Sequence, residues 1–319
     1  MKKHELIQVK NLTKTFHVGK KQVIRAVDDV SFVIAKGETL GLVGESGCGK
    51  TTVGRTMIRL YQPDSGEVLF KGENVHQVSK SQNKRITRCM QMIYQDPYAS
   101  LNPFFTVGEI ISEGLEIHAL CRTKKEKQQR VYELLEMVGL HRSHINRFPH
   151  EFSGGQRQRV GIARSLAVNP EFIICDEAIS ALDVSIQAQI VNLLIELQRK
   201  LELTYLFIAH DLAMVRHISD HTAVMYLGSL VESGQTEDVY NEPLHPYTRG
   251  LIEAVPVADP EYEAARSQRI IKGEIPNFTD LPSGCRFRSR CDLATERCAV
   301  EKPLLRDVRE SHYVACHNI

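Results

Sequence analysis

Short, mostly apolar runs recur along the chain at residues 38–43, 172–175, 204–208 and 223–226, each bounded by charged or turn-forming residues. That is the pattern of strands covered on both faces. Between the second and third runs, residues 184–201 show helical spacing and read as the crossover that joins parallel strands. Leu6 to Val9 and Val23 to Val33 are β-rich, with Gly19-Lys20-Lys21 in the loop between them, so a small antiparallel β-subdomain is predicted at the start. After Gly66 comes another short apolar stretch, Glu67 to Phe70, and then a polar segment to about Arg88. From Asp96 to about Leu166 the apolar positions, among them Val131, Leu134, Leu135 and Val138, follow helical spacing with several turn signals. The prediction is an α/β fold: a doubly wound parallel sheet, an antiparallel β-subdomain and a helical insertion at about 96–166.

Composition narrows what such a fold could do. Forty Lys and Arg balance thirty-nine Asp and Glu in 319 residues, so no global field recruits nucleic acid or an anionic bilayer. The longest apolar runs are far too short to span a membrane, and no apolar segment follows Met1-Lys2-Lys3-His4-Glu5. We therefore expect neither a leader nor an anchor, and a cytosolic or peripheral location.

The chemistry begins at Gly44-Glu45-Ser46-Gly47-Cys48-Gly49-Lys50-Thr51, which fits the phosphate-loop pattern G-x-x-x-x-G-K-[ST] directly after the first apolar run. Glycines let the backbone wrap an anion with its N–H groups. Lys50 can reach the β- and γ-phosphates, and Thr51, with Thr52 beside it, stands at the start of a helix predicted over Lys50 to Leu60, where its hydroxyl can meet Mg²⁺. The helix dipole adds to the same site. A nucleoside triphosphate is the implied ligand.

A second site follows the run Phe172-Ile173-Ile174-Cys175, where Asp176 and Glu177 emerge at the C-terminal end of a strand. Asp176 is suited to hold Mg²⁺ and Glu177 to orient or deprotonate the attacking water, two roles that one carboxylate cannot fill together. Ser153-Gly154-Gly155-Gln156, before a helix starting near Gln156, reads as a second anion site.

Phe152-Ser153-Gly154-Gly155-Gln156 resembles the signature of ABC-transporter ATPases, with Phe where Leu is commonest. Other family elements follow in order: Gln95, Ser180-Ala181-Leu182-Asp183, and His210 within Ile208-Ala209-His210-Asp211. The resemblance covers about residues 5–255. It implies that Gln95 links Mg²⁺ and the γ-phosphate to the helical subdomain, that His210 grips the γ-phosphate, that Asp183 contacts an opposing subunit, and that Phe16 stacks on adenine. It also implies a head-to-tail dimer of ATPase domains, each nucleotide held between one phosphate loop and the other signature. Ala178 stands where Pro commonly follows the Asp-Glu pair, a change that leaves the carboxylates in place.

The C-terminal residues, with Pro243-Leu244-His245-Pro246-Tyr247 and Leu281-Pro282-Ser283-Gly284-Cys285, resemble the ATPases of dipeptide and oligopeptide importers. Residues 180–187 are more similar to the F-type than to the D-type ATPase subunit of such importers. The resemblance implies an ATP-binding domain over 1–255, a C-terminal extension over 256–319, and a place on the cytoplasmic face of the membrane. The implied partners are a D-type ATPase subunit, two permease subunits docking near residues 95–103 and, indirectly, an external substrate-binding protein. A non-transport ABC module of a multienzyme complex, or import of nickel or another small solute, is the alternative.

Cys285, Cys291, Cys298 and Cys316 are spaced C-x₅-C-x₆-C-x₁₇-C. Clustered thiols in such a chain suggest metal before disulfides, and the importer resemblance implies a [4Fe–4S] cluster; zinc or free thiols are the alternatives. This tail is charged and poor in large apolar residues; its cysteine cluster is expected to lie outside the nucleotide motifs, and His312 and His317, which could substitute as ligands, are expected to be solvated.

Overall fold

The computed structural model describes residues 4–19, 22–180, 182–255, 271, 273–274, 276–279 and 281–319. Lys20 and Lys21 of the first predicted loop, Ala181, and the start of the extension at 256 lie outside the described residues.

Strands β1 (Glu5–Val18) and β2 (Gln22–Ala35) lead to β3 (Thr39–Val43), helix α1 (Lys50–Met57), β4 (Ser65–Phe70) and the short β5 (Glu73–Asn74). Next come α2 (Lys80–Cys89), β6 (Met90–Ile93), α3 (Pro97–Ser100), α4 (Val107–Ile117), α5 (Lys124–Met137), α6 (Gly154–Leu166), β7 (Phe172–Asp176) and α7 (Val184–Leu201). The chain continues through β8 (Thr204–Ile208), α8 (Leu212–Ile218), β9 (His221–Tyr226), β10 (Ser229–Gln235), α9 (Thr236–Asn241) and α10 (Pro246–Glu253). It ends with α11 (Glu296–Val300), β11 (Arg306–Arg309) and β12 (His312–Val314). No described helix is long and apolar enough to cross a membrane.

Two compact units divide the chain. The first comprises Met1–Leu6, Ile34–Glu38 and Phe70–Ile208. In it β6, β7 and β8 pair in parallel, with Met90 opposite Phe172 and Phe172 opposite Thr204. Every residue of β7 and β8 is buried, which explains the apolar runs Phe172 to Cys175 and Leu206 to Ile208. Tyr205 tolerates this because its hydroxyl donates to the Leu194 carbonyl at 3.1 Å. The crossover α7 buries Ile190, Val191, Leu193, Leu194 and Leu197 on one face. The helical insertion has its own core, in which α4 packs on α5 and α6, burying Ile110, Ile111, Leu115, Leu134, Leu135 and Ile162.

Helix α2 lies in the segment predicted to be merely polar, and β6 follows it in residues for which no element was predicted. Helix α2 starts at a capping box in which Ser79 accepts from Gln82 N–H and the Gln82 side chain answers to the Ser79 backbone. It buries only Ile86, so no apolar stripe announced it. Strand β6 is four residues long and is held by its pairing with β7.

The second unit comprises Ile7–Val33, Thr39–Leu69 and Ala209–Ile319. Within it β2, β1 and β4 lie side by side, and a second sheet runs β3, β9, β10, β12, β11. Strand β9 pairs with β3 in parallel, and β10 pairs antiparallel with β9 on one side and β12 on the other. The charged tail thus contributes strands to this sheet. His312, expected to be solvated, is 3 % exposed, with Nε2 at 2.7 Å from the buried Glu232 carboxylate. That carboxylate also accepts the N–H groups of Leu244 and His245, both at 2.8 Å. Burying a carboxylate this deeply requires such partners. His317 instead meets the Glu301 carbonyl at 2.9 Å.

Candidate functional site

The phosphate loop lies in the second unit, where β3 carries the chain through the core to Val43. Gly44, Gly47 and Gly49 have φ of 151°, 77° and 108°. A Cβ on Gly44 would sit 2.2 Å from the Met225 carbonyl oxygen, and one on Gly49 2.1 Å from that of Ala26. Gly47 has open space around it and needs only its backbone freedom. With Ser46 and Gly47 exposed and Cys48, Gly49 and Lys50 buried, the loop presents its tip and anchors its base.

Lys50 Nζ donates to the Gly44 carbonyl at 2.8 Å and the Glu45 carbonyl at 3.1 Å, so the cation is aimed along its own loop. Gly49 offers no side-chain cap to α1, leaving the N–H groups of the first turn to other acceptors. Thr51 and Thr52 are half-buried in that turn. Burial pushes the Cys48 thiol up, so it packs as a small neutral group. Helix α1 is shorter than predicted, closing at Met57. Phe16, half-buried near the end of β1, meets Tyr61 edge to face at 5.2 Å with Lys14 Nζ 5.5 Å from its ring centre.

The carboxylates lie in the first unit. Asp176 ends β7 and is 1 % exposed, while Glu177 follows in a left-handed conformation with φ 45°. The N–H of Glu177 donates to the Ile208 carbonyl at 2.9 Å. Strand register explains its other neighbour. Parallel pairing of Ile93 with Cys175, continued two residues past that pair, sets Gln95 beside Glu177, and Gln95 Nε2 donates to the Glu177 carboxylate at 2.8 Å. Two residues predicted separately for the reaction are thereby brought together. Hard oxygen donors such as the Asp176 carboxylate and the Thr51 hydroxyl suit Mg²⁺.

The signature is also in the first unit. Ser153 caps α6, accepting from Gln156 N–H at 3.4 Å while Gln156 Oε1 accepts from Ser153 N–H at 3.1 Å. The helix therefore begins at Gly154, two residues before the predicted start. The glycines have a packing duty as well: a Cβ on Gly155 would lie 2.5 Å from the Ile186 side chain. Phe152 is buried and meets His144 edge to face at 5.3 Å, which accounts for an aromatic residue here. Arg157, unnoticed in the sequence, donates to the Pro149 carbonyl at 2.8 Å and to that of Phe152, and lies 3.7 Å over the Tyr98 ring.

Asp183 caps α7 through Ile186 N–H at 3.0 Å, and this bond holds its carboxyl below the usual range. In the second unit His210 is exposed, and Asp211 caps α8 through the N–H groups of Ala213 and Met214.

The tail also contacts the phosphate loop, through a residue that the sequence did not single out. Arg290 Nη1 and Nη2 reach the Glu45 carboxylate at 2.7 and 2.9 Å, and the Tyr247 hydroxyl accepts Glu45 N–H at 2.9 Å. Nothing in the spacing of residues 245 apart signals such a pair.

Two of the four tail cysteines are joined through the backbone, Cys285 N–H donating to the Cys298 carbonyl at 2.8 Å. Burial pushes the Cys285 thiol up to about 11, and the charges of Cys298, Cys291 and Cys316 act in the same direction. Cys291 and Cys316 are raised for the same reasons. Among the described residues no group of three or more His, Cys, Asp or Glu side chains is arranged to hold a metal ion. The donor chemistry fits a thiolate-held metal, while the side chains do not converge as ligands.

Comparison with known proteins agrees with these features. Residues 27–180 match the family described as "ABC transporter", and residues 231–298 match "Oligopeptide/dipeptide transporter, C-terminal region". The chain is 56 % identical to the oligopeptide transport ATP-binding protein OppF of Bacillus subtilis, over 98 % of this chain and 96 % of that protein. Identity to AppF, another oligopeptide transport ATP-binding protein of that organism, is 52 %, over 92 % and 89 % of the two chains. Among solved structures, the dimeric post-hydrolysis ATP-binding cassette MJ0796 bound to ADP and Pi aligns with a TM-score of 0.66 and 29 % identity, over 72 % of this chain and 98 % of that one. Two matched regions and relatives aligned over nearly the whole chain agree, and the chain belongs to the ABC-transporter family, among its oligopeptide-transport ATP-binding proteins.

Proposed function

We propose that this chain is an F-type ATP-hydrolysing subunit that powers import of dipeptides or oligopeptides through a membrane permease. The observation that carries this is similarity running from end to end, including the C-terminal region at 231–298 as well as the ATP-binding core. Lys50 and the loop N–H groups bind the phosphates, Thr51 and Asp176 hold Mg²⁺, Gln95 links Mg²⁺ and the γ-phosphate to the helical subdomain, His210 grips the γ-phosphate, and Glu177 orients or deprotonates the attacking water. Mg²⁺, when bound, supplies charge neutralisation to the phosphate oxygens. Phe16 stacks on adenine. Ser153, Gly154, Gly155 and Gln156 face the nucleotide of a related D-type subunit, and Asp183 touches that subunit, in a head-to-tail heterodimer.

Two permease subunits dock on the cytoplasmic side of the membrane against the segment after Gln95. Tyr98 at 63 % and Phe104 at 84 % exposure support this, since large aromatics so open to water mark a contact surface. An external binding protein delivers the peptide. In proteoliposomes holding the permease pair and both ATPase subunits and supplied with the external binding protein, a labelled tripeptide should accumulate only with ATP, and Lys50→Ala should abolish accumulation. Uptake indifferent to Lys50→Ala, or uptake of nickel in place of peptide, would remove this reading.

The tail cysteines are proposed to hold a [4Fe–4S] cluster through Cys285, Cys291, Cys298 and Cys316. The clustered spacing of the four cysteines, within a tail that overlaps the matched oligopeptide/dipeptide transporter C-terminal region, supports it. Protein purified without oxygen is then expected to be brown, to absorb near about 400 nm and to carry about four irons per chain, as thiolate-held clusters do. Serine at any of the four positions should bleach it. Stoichiometric zinc, or four freely alkylated thiols and no metal, would refute the cluster.

A further inference from the structure

We propose that Arg290 is a positioning residue for the phosphate loop, acting through Glu45; this rests on the loop being the nucleotide site. The segment Cys285–Cys291 is folded by backbone bonds from Arg288 N–H to the Cys285 carbonyl at 3.2 Å and from Arg290 N–H to that of Phe287 at 3.0 Å. Three of its side chains go to three different places. Arg286 pairs with Asp28 and with the Leu227 carbonyl. Phe287 is buried against Tyr226, Tyr247 and His245, with ring centres 5.3–5.6 Å apart. Arg290 forms the two-pronged pair with Glu45 and lies 5.8 Å from the Tyr226 ring centre.

Glu45 is the second residue of the loop and is held twice: its N–H by the Tyr247 hydroxyl and its carboxylate by Arg290. Tyr247 is itself fixed by its N–H, which donates to His245 Nδ1 at 3.1 Å. Burial pushes that imidazole down to about 4, keeping it a neutral acceptor. The Glu45 carbonyl in turn accepts from Lys50 Nζ at 3.1 Å and from Cys48 N–H at 3.2 Å. A shift of Glu45 therefore moves both the carbonyl that Lys50 leans on and the loop's first turn.

Charge gives the pair a second purpose. A carboxylate inside an anion-binding loop repels phosphate, and the fixed fork of a guanidinium both neutralises it and turns it aside. The Arg290 side chain is 6 % exposed and that of Glu45 22 %, so water screens the pair poorly.

In the full chain assembled with its partner subunits, Arg290→Ala should raise KM for ATP about tenfold, the order of a lost charged hydrogen-bond pair, with kcat within about twofold. Arg290→Lys, which keeps charge but loses the fork, should fall between. Arg290→Ala in a Glu45→Gln background should add little, because the partner that it restrains is gone. Arg286→Ala loosens the same segment away from the loop and should leave KM within about twofold. Affinity for a fluorescent ATP analogue, measured on the full chain beside Lys50→Ala, separates the two ideas. Normal affinity in Lys50→Ala would refute the nucleotide site itself. Loss there with unchanged KM in Arg290→Ala, additive effects with Glu45→Gln, or an equal rise in Arg286→Ala would overturn the role of Arg290.

Discussion

Glu177→Gln is expected to bind ATP with near-normal affinity and to hydrolyse it about 10²–10⁴-fold more slowly, the usual size of a lost general base. The substitution keeps the shape of the side chain, and its amide oxygen can still accept from Gln95 Nε2, which lies 2.8 Å from the carboxylate. What disappears is the negative charge and the ability to take a proton. Left-handed backbone at Glu177, pinned by its N–H to the Ile208 carbonyl, does not depend on the side-chain charge. Steady-state ATPase rates and nucleotide affinity in the assembled complex test this. Undiminished hydrolysis would take Glu177 out of the reaction.

Gly49→Ala should weaken ATP binding by about 5- to 150-fold, from roughly 1–3 kcal/mol of backbone strain at its φ of 108° falling on the loop's binding-competent shape. The new methyl group would also press on the Ala26 carbonyl oxygen, a backbone atom that cannot rotate away. Gly47→Ala is the informative contrast. Its φ is 77°, but no atom lies within 4 Å of the added carbon, so it should lose less than Gly49→Ala. Titration of both variants with a fluorescent ATP analogue decides it. Equal losses would mean that the Ala26 contact is irrelevant.

What the sequence disclosed and what it hid divide along a physical line. Phosphate loop, β7, α7 and β8 were legible because their signals are local: glycines where φ is positive, a lysine at a fixed offset, apolar runs where both strand faces are covered. Helix α2 escaped because one buried residue, Ile86, makes no periodicity. Strand β6 escaped because four residues are too few to show alternation. The tail escaped for another reason. Arg290 with Glu45, Arg286 with Asp28 and His312 with Glu232 are polar pairs far apart in sequence, and polarity alone reads as solvation. The extra glycine requirement at Gly155, set by Ile186, is equally invisible until two helices are seen to approach.

The separation of Glu45 from Arg290 by 245 residues also sets an order in time. At a synthesis rate of about 5–20 residues per second, the loop emerges about 10–50 s before the arginine that secures it. A nascent chain therefore carries a phosphate loop with its glycines and lysine but without its final restraint. Only a chain translated past Arg290 can present the finished loop, so a segment made late completes a site begun early.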